Sequence, residues 1–300
     1  MEILQKVQEQ ILSYVKEIAD DKSLELLGLL PNGKMLRSKL ILKIAGANEE
    51  SIKLCAVVEM IHAASLLHDD VIDDATTRRG KQTINALFDN KTSIMFGDIL
   101  YSKAFTELTK MDKEVAYTIS NAVTLLSVGE LLDVELSKIF NTSYDKYLDM
   151  IYKKTASLIE ASAKSAAILA NKNRDNFALY GKNLGLAFQM VDDILDITED
   201  SEKLGKPAML DFVEGKVTIP YLFTYERSNE QDKTKLENFY KKELSNDETL
   251  WLKNQFSTTN AIQDSIALAQ KFGSNAIEAI KDENNEDLVL IMKAMIERDF

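Results

Sequence analysis

Apolar residues recur along this chain at intervals of three and four, and the stretches that carry the rhythm are long. Leu54, Val57, Val58, Ile61, Ser65 and Leu66 fall on one stripe of a helix leading into His68-Asp69-Asp70. The same spacing predicts helices over 93–110, 113–138, 144–171, 174–198, 217–228, 232–244, 247–256, 260–281 and 286–298. The opening segment MEILQKVQEQILSYVKEIAD carries it too, with charges spread throughout. Turn chemistry marks Leu30-Pro31-Asn32-Gly33, Arg78-Arg79-Gly80-Lys81, Lys110-Met111-Asp112, Asn141-Thr142-Ser143 and Leu204-Gly205-Lys206-Pro207 as loops. No run alternates as a half-buried strand would, and no compositional break marks a linker. The expectation is an all-α chain folded as a single domain over residues 1–300.

Composition sharpens this picture. The three prolines leave everything between Pro31 and Pro207 uninterrupted, and glycine is sparse at 11. An apolar share of 45% provides a large core without membrane insertion. The net charge of −12 argues against nucleic acid, whose phosphates want a basic face, and against docking to an anionic bilayer. The N-terminus lacks the basic start and cleavage site of a signal peptide. The longest uncharged stretch, Val115 to Gly129, is short and polar for a transmembrane span. Cys55 is the only cysteine, so no intrachain disulfide or cysteine zinc cluster can form. A soluble, cytoplasmic protein is expected.

One internal echo carries chemistry. Asp69-Asp70-Val71-Ile72-Asp73 and Asp192-Asp193-Ile194-Leu195-Asp196 share the pattern Asp-Asp-x-x-Asp, each at the end of an apolar helical run. On a helix, Asp69 and Asp73 project from one face, as do Asp192 and Asp196. Carboxylates crowded beside apolar sequence need a cation. Hard oxygen donors with no thiolate nearby make Mg²⁺ the natural one, since it takes one or two carboxylates plus water and phosphate oxygens. A single such cluster would read as a solvated helix end. Two copies followed by cations, Arg78 and Arg79 after the first and Lys206 after the second, point to a metal-bridged diphosphate. No glycine-rich loop ending in Gly-Lys-Ser/Thr is present, so this is not a P-loop.

With these motifs the chain resembles the trans-isoprenyl diphosphate synthases, the polyprenyl synthetase family, from roughly Gly33 to Pro220. The resemblance rests on Gly33-Lys34-x-x-Arg37, on Glu59-Met60-Ile61-His62 leading into the first aspartate motif, and on Arg78-Arg79-Gly80, Asn85 and Gly97-Asp98. The later half adds Lys154-Thr155, Gln189 before the second motif, Leu204-Gly205-Lys206 and Glu214-Gly215-Lys216-x-Thr218-x-Pro220. It implies an antiparallel helical bundle around a large central cavity, usually in a homodimer, with the two motifs facing each other over the cavity mouth. By the same resemblance Asp69 and Asp73 hold Mg²⁺ on an allylic diphosphate and Asp192 helps hold a further ion. Arg78 and Lys206 would contact that diphosphate. Lys34, Arg37, His62 and Arg79 would hold isopentenyl diphosphate in a metal-free basic pocket. His68 reads as structural, Asp74 stays unassigned, and Lys216 serves either diphosphate or loop. Asn32 stands where the family often has glycine, and Gln82 where it often has proline; neither removes a charge.

The implied chemistry is coherent. A diphosphate leaves only when its developing charge is neutralised. The resulting allylic cation is attacked by the π bond of isopentenyl diphosphate, and a proton is then lost to the departed diphosphate. Neutral dipoles suit the cation, and the family-matched Thr155 hydroxyl, Gln189 carbonyl and Lys154 backbone would supply them. Ala64 and Ser65, five and four residues before Asp69, are small where short-chain synthases carry aromatic bulk, so the passage for the growing tail is open. A helical turn of 5.4 Å is on the order of one prenyl unit, and a cavity about 37 Å long suits an octaprenyl product, about C40. The expectation is an enzyme extending an allylic starter such as farnesyl diphosphate to supply quinone side chains, with its lipid product handed to the membrane. The alternatives are a farnesyl- or geranylgeranyl-making relative and a non-catalytic subunit of a heteromeric synthase, which the two complete motifs disfavour. A terpene cyclase is disfavoured by Lys34, Arg37 and His62.

Overall fold

The structure, a computed structural model, describes residues 2–31, 33–198 and 209–296. Almost all of its regular structure is helix. Two compact units are formed, Met1–Thr124 with Leu158–Ala178, and Leu125–Ser157 with Leu179–Phe300.

The first unit is built on α4 (Glu49–Ile72), against which α1 (Glu2–Lys16), α3 (Leu36–Ala45) and α6 (Asn90–Leu108) pack. α2 (Asp21–Leu29), the short α5 (Ile84–Leu87) and the first part of α7 (Lys113–Leu136) complete the helices before residue 124. α4 starts at a capping box: Asn48 accepts from the Ser51 N–H at 2.9 Å and Ser51 Oγ accepts from the Asn48 N–H at 3.0 Å. Glu49 and Glu50 in its first turn complement the helix dipole. Leu54, Cys55, Ala56, Val57, Val58, Ile61 and Ala64 are fully buried, each 0% exposed, so apolar residues line most of its circumference. α4 and α7 both reach a mean hydropathy of 1.3 over a span long enough to cross a bilayer. α4 is instead a core helix ending in aspartates, with 61% of that window buried in the protein; for α7 the share is 39%.

The chain leaves α4 through Asp73 and Asp74, the latter in the left-handed region at φ 50°, which a short polar side chain tolerates. The loop expected at Arg78–Lys81 is a minimal hairpin, in which β1 (Thr77–Arg78) pairs antiparallel with β2 (Lys81–Gln82). Arg79 at φ 52° and Gly80 at φ 74° make the turn, both positive as a tight two-residue hairpin requires. The ladder is two residues per strand, too short to leave an alternating pattern. Asn85 ties this hairpin back, donating to the carbonyls of Asp70 and Ala75 at 3.2 and 3.0 Å.

The second unit holds α8 (Tyr144–Ile151), the C-terminal parts of α7 and α10 (Arg174–Thr198), α11 (Leu210–Glu214), α12 (Ile219–Arg227), α13 (Glu230–Phe239), α14 (Asn246–Thr258), α15 (Ala261–Ala279) and α16 (Glu286–Ile296). Its core is aromatic. Phe212 stacks on Tyr221 at 4.2 Å, and Tyr221 meets Phe256 edge-on at 5.0 Å. Pro220 sits in the first turn of α12, where its missing N–H costs nothing. The helix expected over 144–171 is broken: a π-helical turn, Tyr152–Ala156, separates α8 from α9 (Ser157–Leu169).

Candidate active site

The last turn of α4 sorts the first aspartate motif by direction. Asp70 is 5% exposed and accepts from Arg78 Nε at 2.7 Å. Burial pushes its carboxyl above the usual range, with Arg78 opposing. Asp69 is half-buried and Asp73 exposed, one helical turn apart with the Asp73 N–H on the Asp69 carbonyl at 2.8 Å. The middle aspartate therefore anchors an arginine.

Beside them the same unit gathers cations. His62 is held well below the ordinary imidazole range, by burial first and then by the charges of Arg37, Arg79 and Arg78. The charges of those three guanidiniums thus all oppose protonation of the imidazole. Arg79 packs against Gly33 so closely that a Cβ there would lie 2.9 Å from Nη1. Arg37 has its Nε buried without a hydrogen-bond partner, and burial lowers it from the guanidinium range against the pull of Glu59. A buried orphan donor among like charges is the environment an anion relieves. Gly33, Met35, Glu59, Met60, Ala63 and Leu100 help line a cavity of about 230 Å³ nearby. Lys34 is exposed. His68 lies on Gly97, its Nε2 3.2 Å from the Ile94 carbonyl. Ala64 and Ser65 are buried at 0% and 5% exposure, and Ser65 Oγ donates to the His62 carbonyl at 2.9 Å.

In the second unit the π-helical turn carries Lys154 and Thr155. Such a turn inserts one residue into a helix and is frequent at functional sites. It is gripped by two glycines. A Cβ on Gly129 of α7 would lie 2.2 Å from the Lys154 nitrogen, and one on Gly185 of α10 would lie 2.5 Å from the Ala156 Cα. Lys154 Nζ meets Asp133 at 2.5 Å and Glu130 at 2.9 Å, two carboxylates that are 7% and 8% exposed. Removing one partner from a buried group of this kind costs about 3–5 kcal/mol.

Thr155 donates to Gln189 Oε1 at 2.7 Å, which brings two of the expected dipoles into contact. Gln189 donates in turn to Asp193 Oδ1 at 2.9 Å, and Tyr147 donates to Asp193 Oδ2 at 2.6 Å. Burial, then the charge of Asp211, push Asp193 up to about 8; the bonds from Tyr147 and Gln189 pull the other way. Asp196 is 2% exposed and accepts from the Asp211 N–H at 3.3 Å, while Asp192 is half-buried. Lys206 lies outside the described residues.

Tyr147, Glu130, Asp133 and the two clamping glycines were not legible as site residues. A lone glycine inside a long helix was the available signal at Gly129 and Gly185. Among the described residues no three carboxylate or imidazole side chains converge as a self-sufficient metal cage. The donor set still fits Mg²⁺, which takes one or two carboxylates and fills its shell with water and phosphate oxygens.

The octaprenyl pyrophosphate synthase of Helicobacter pylori matches with a TM-score of 0.95 at 44% identity, covering 99% of each chain. Solanesyl-diphosphate synthase 1 of Oryza sativa subsp. japonica is 38% identical over 252 residues, 81% of this chain and 57% of that one. The short chain isoprenyl diphosphate synthase of Methanothermobacter thermautotrophicus is 34% identical over 254 residues, 79% of this chain and 78% of that one. The sequence pattern of the polyprenyl synthetases runs through residues 26–255, which takes in both aspartate motifs, the guanidinium cluster and the π-helical turn; the chain belongs to the polyprenyl synthetase family.

Proposed function

We propose that this enzyme condenses an allylic diphosphate with successive isopentenyl diphosphate units to a long all-trans polyprenyl diphosphate of the octaprenyl class. The observation that carries the reading is the first unit's pairing of Asp69 and Asp73 with Arg37, His62, Arg78 and Arg79. Carboxylates for a metal and a cluster of guanidiniums around a neutral imidazole suit two diphosphates better than any neutral substrate. When bound, Mg²⁺ neutralises the charge that grows on the departing diphosphate.

Asp69 and Asp73 would hold Mg²⁺, and Asp192 would help hold a further ion. Arg78, oriented by Asp70, and Lys206 would bind the allylic diphosphate, while Lys34, Arg37, His62 and Arg79 would bind isopentenyl diphosphate. The allylic carbon–oxygen bond breaks, the isopentenyl π bond attacks the cation, and the proton leaves with diphosphate. Thr155, Gln189 and the Lys154 backbone turn dipoles toward the cation without trapping it. A cytoplasmic homodimer, farnesyl diphosphate as starter and a product destined for quinone side chains belong to the same proposal. The Helicobacter and Oryza relatives support the long chain, as does the small size of Ala64 and Ser65.

A shorter product is the second reading, favoured by the relative from Methanothermobacter. Incubation with Mg²⁺, farnesyl diphosphate and labelled isopentenyl diphosphate, followed by chromatography, decides between them. Products centred at about eight prenyl units are expected, roughly one per helical turn of tunnel. Products of four units from farnesyl diphosphate, or of three from dimethylallyl diphosphate, would establish the shorter reading, and no release of diphosphate from either starter would leave a non-catalytic subunit. Ala64→Phe should shorten the distribution while total isopentenyl incorporation continues; an unaltered distribution would remove the role given to Ala64.

A further inference from the structure

The side-chain amide of Gln189 has two faces, and only one suits a carbocation. Its carbonyl oxygen presents the negative end of a dipole, and its NH₂ presents the positive end. Thr155 does not choose between them, because a hydroxyl can rotate to donate to an oxygen or accept from a nitrogen. Asp193 does choose. Its Oδ1 accepts from Gln189 Nε2 at 2.9 Å, which commits the NH₂ to that side and leaves Oε1 toward Thr155 at 2.7 Å. The plane of Asp193 is set by its other oxygen, which accepts from Tyr147 at 2.6 Å. Tyr147 lies on α8, 1% exposed, in the core that also contains Met190 and Val191 of α10. Burial, then the charge of Asp193, push its phenol well above the usual range, so it stays a donor.

Resting on the function proposed above, we infer that Tyr147 is a positioning residue that acts through Asp193 to keep the Gln189 carbonyl, rather than its amide N–H, available to the allylic cation. Without the Tyr147 hydroxyl, Asp193 can rotate and the amide can invert, which places N–H dipoles against developing positive charge. Binding of either diphosphate uses other groups, so the effect belongs to the chemical step.

The test is Tyr147→Phe, assayed with Mg²⁺, farnesyl diphosphate and isopentenyl diphosphate. Turnover should fall roughly ten- to hundredfold, as misplacement of a catalytic group does, with KM for both substrates within about twofold. Tyr180→Phe is the control: Tyr180 is buried in the same unit and donates to the Leu288 carbonyl at 2.8 Å, away from this chain of bonds. It should lose comparable thermal stability and keep turnover. Asp193→Asn keeps the side chain's shape but offers N–H as well as oxygen to Gln189, and should reproduce the turnover loss if Tyr147→Phe folds poorly. The double variant Tyr147→Phe with Gln189→Leu should be no slower than Gln189→Leu alone. Full turnover in Tyr147→Phe, an equal loss in Tyr180→Phe, or multiplying losses in the double variant would each overturn the inference. A wild-type enzyme that releases no diphosphate would instead remove the functional reading beneath it.

Discussion

In the first aspartate motif the helix stops one residue before the last carboxylate; in the second it runs on past it. α4 ends at Ile72, so Asp73 is its cap and is exposed. α10 continues to Thr198, so Asp196 stays inside at 2% exposure against the Asp211 backbone. One five-residue pattern thus offers two outer carboxylates in one case and one in the other. The middle aspartate turns inward both times, yet meets different chemistry. Asp70 holds the charged Arg78, whereas Asp193 receives neutral donors from Tyr147 and Gln189. The first environment suits binding of anions, and the second suits the ordering of dipoles. What a motif residue does is decided by where the helix ends and by what the inward face meets.

Four substitutions press on this contrast. Asp69→Ala and Asp192→Ala, the residue each motif leaves half-buried, should each cut turnover by on the order of 10³-fold while circular dichroism reports intact helix. Normal turnover in either would count heavily against the site. The third positions should then diverge. Asp73→Asn should lower turnover about 10²-fold, whereas Asp196→Asn should act mainly on stability, by about 1–3 kcal/mol in urea unfolding. Equal catalytic losses would erase the asymmetry.

The smallest expected effect concerns the electrostatics of the first unit alone. His62 is depressed well below 6.5 in the fold, so below that pH the unfolded chain takes up a proton that the fold refuses. Its contribution to stability is complete above pH 6.5 and is lost as pH falls toward 5. His62→Gln should flatten that part of the urea-midpoint profile between pH 7.5 and 5; an unchanged slope would mean that His62 is not the group responsible.

The helical architecture was legible because its stripes recur over many turns, and the aspartate motifs because they are contiguous. The inward anchors were not. Tyr147 and Asp193 stand 46 positions apart, and Lys154 and Asp133 stand 21 apart, so nothing local pairs them. The π-helical turn hid for another reason, since one inserted residue shifts a stripe by only a fraction of a turn. α5 and α11, four and five residues long, are too brief for any period to show. The guanidinium cluster was readable as composition, but Arg79 reaching back to Gly33 depends on a two-residue hairpin that leaves no rhythm of its own.

The surplus residue in the Tyr152–Ala156 turn also acts as a length rule. Deleting one position there would let the segment rewind as ordinary α-helix, with its two sides kept in register but the bulge withdrawn. The Thr155 hydroxyl would then leave Gln189. Sequence drift around this spot is therefore constrained in number as well as in kind: side chains can change there, but the count of residues between Ser143, which caps α8, and Leu169 cannot.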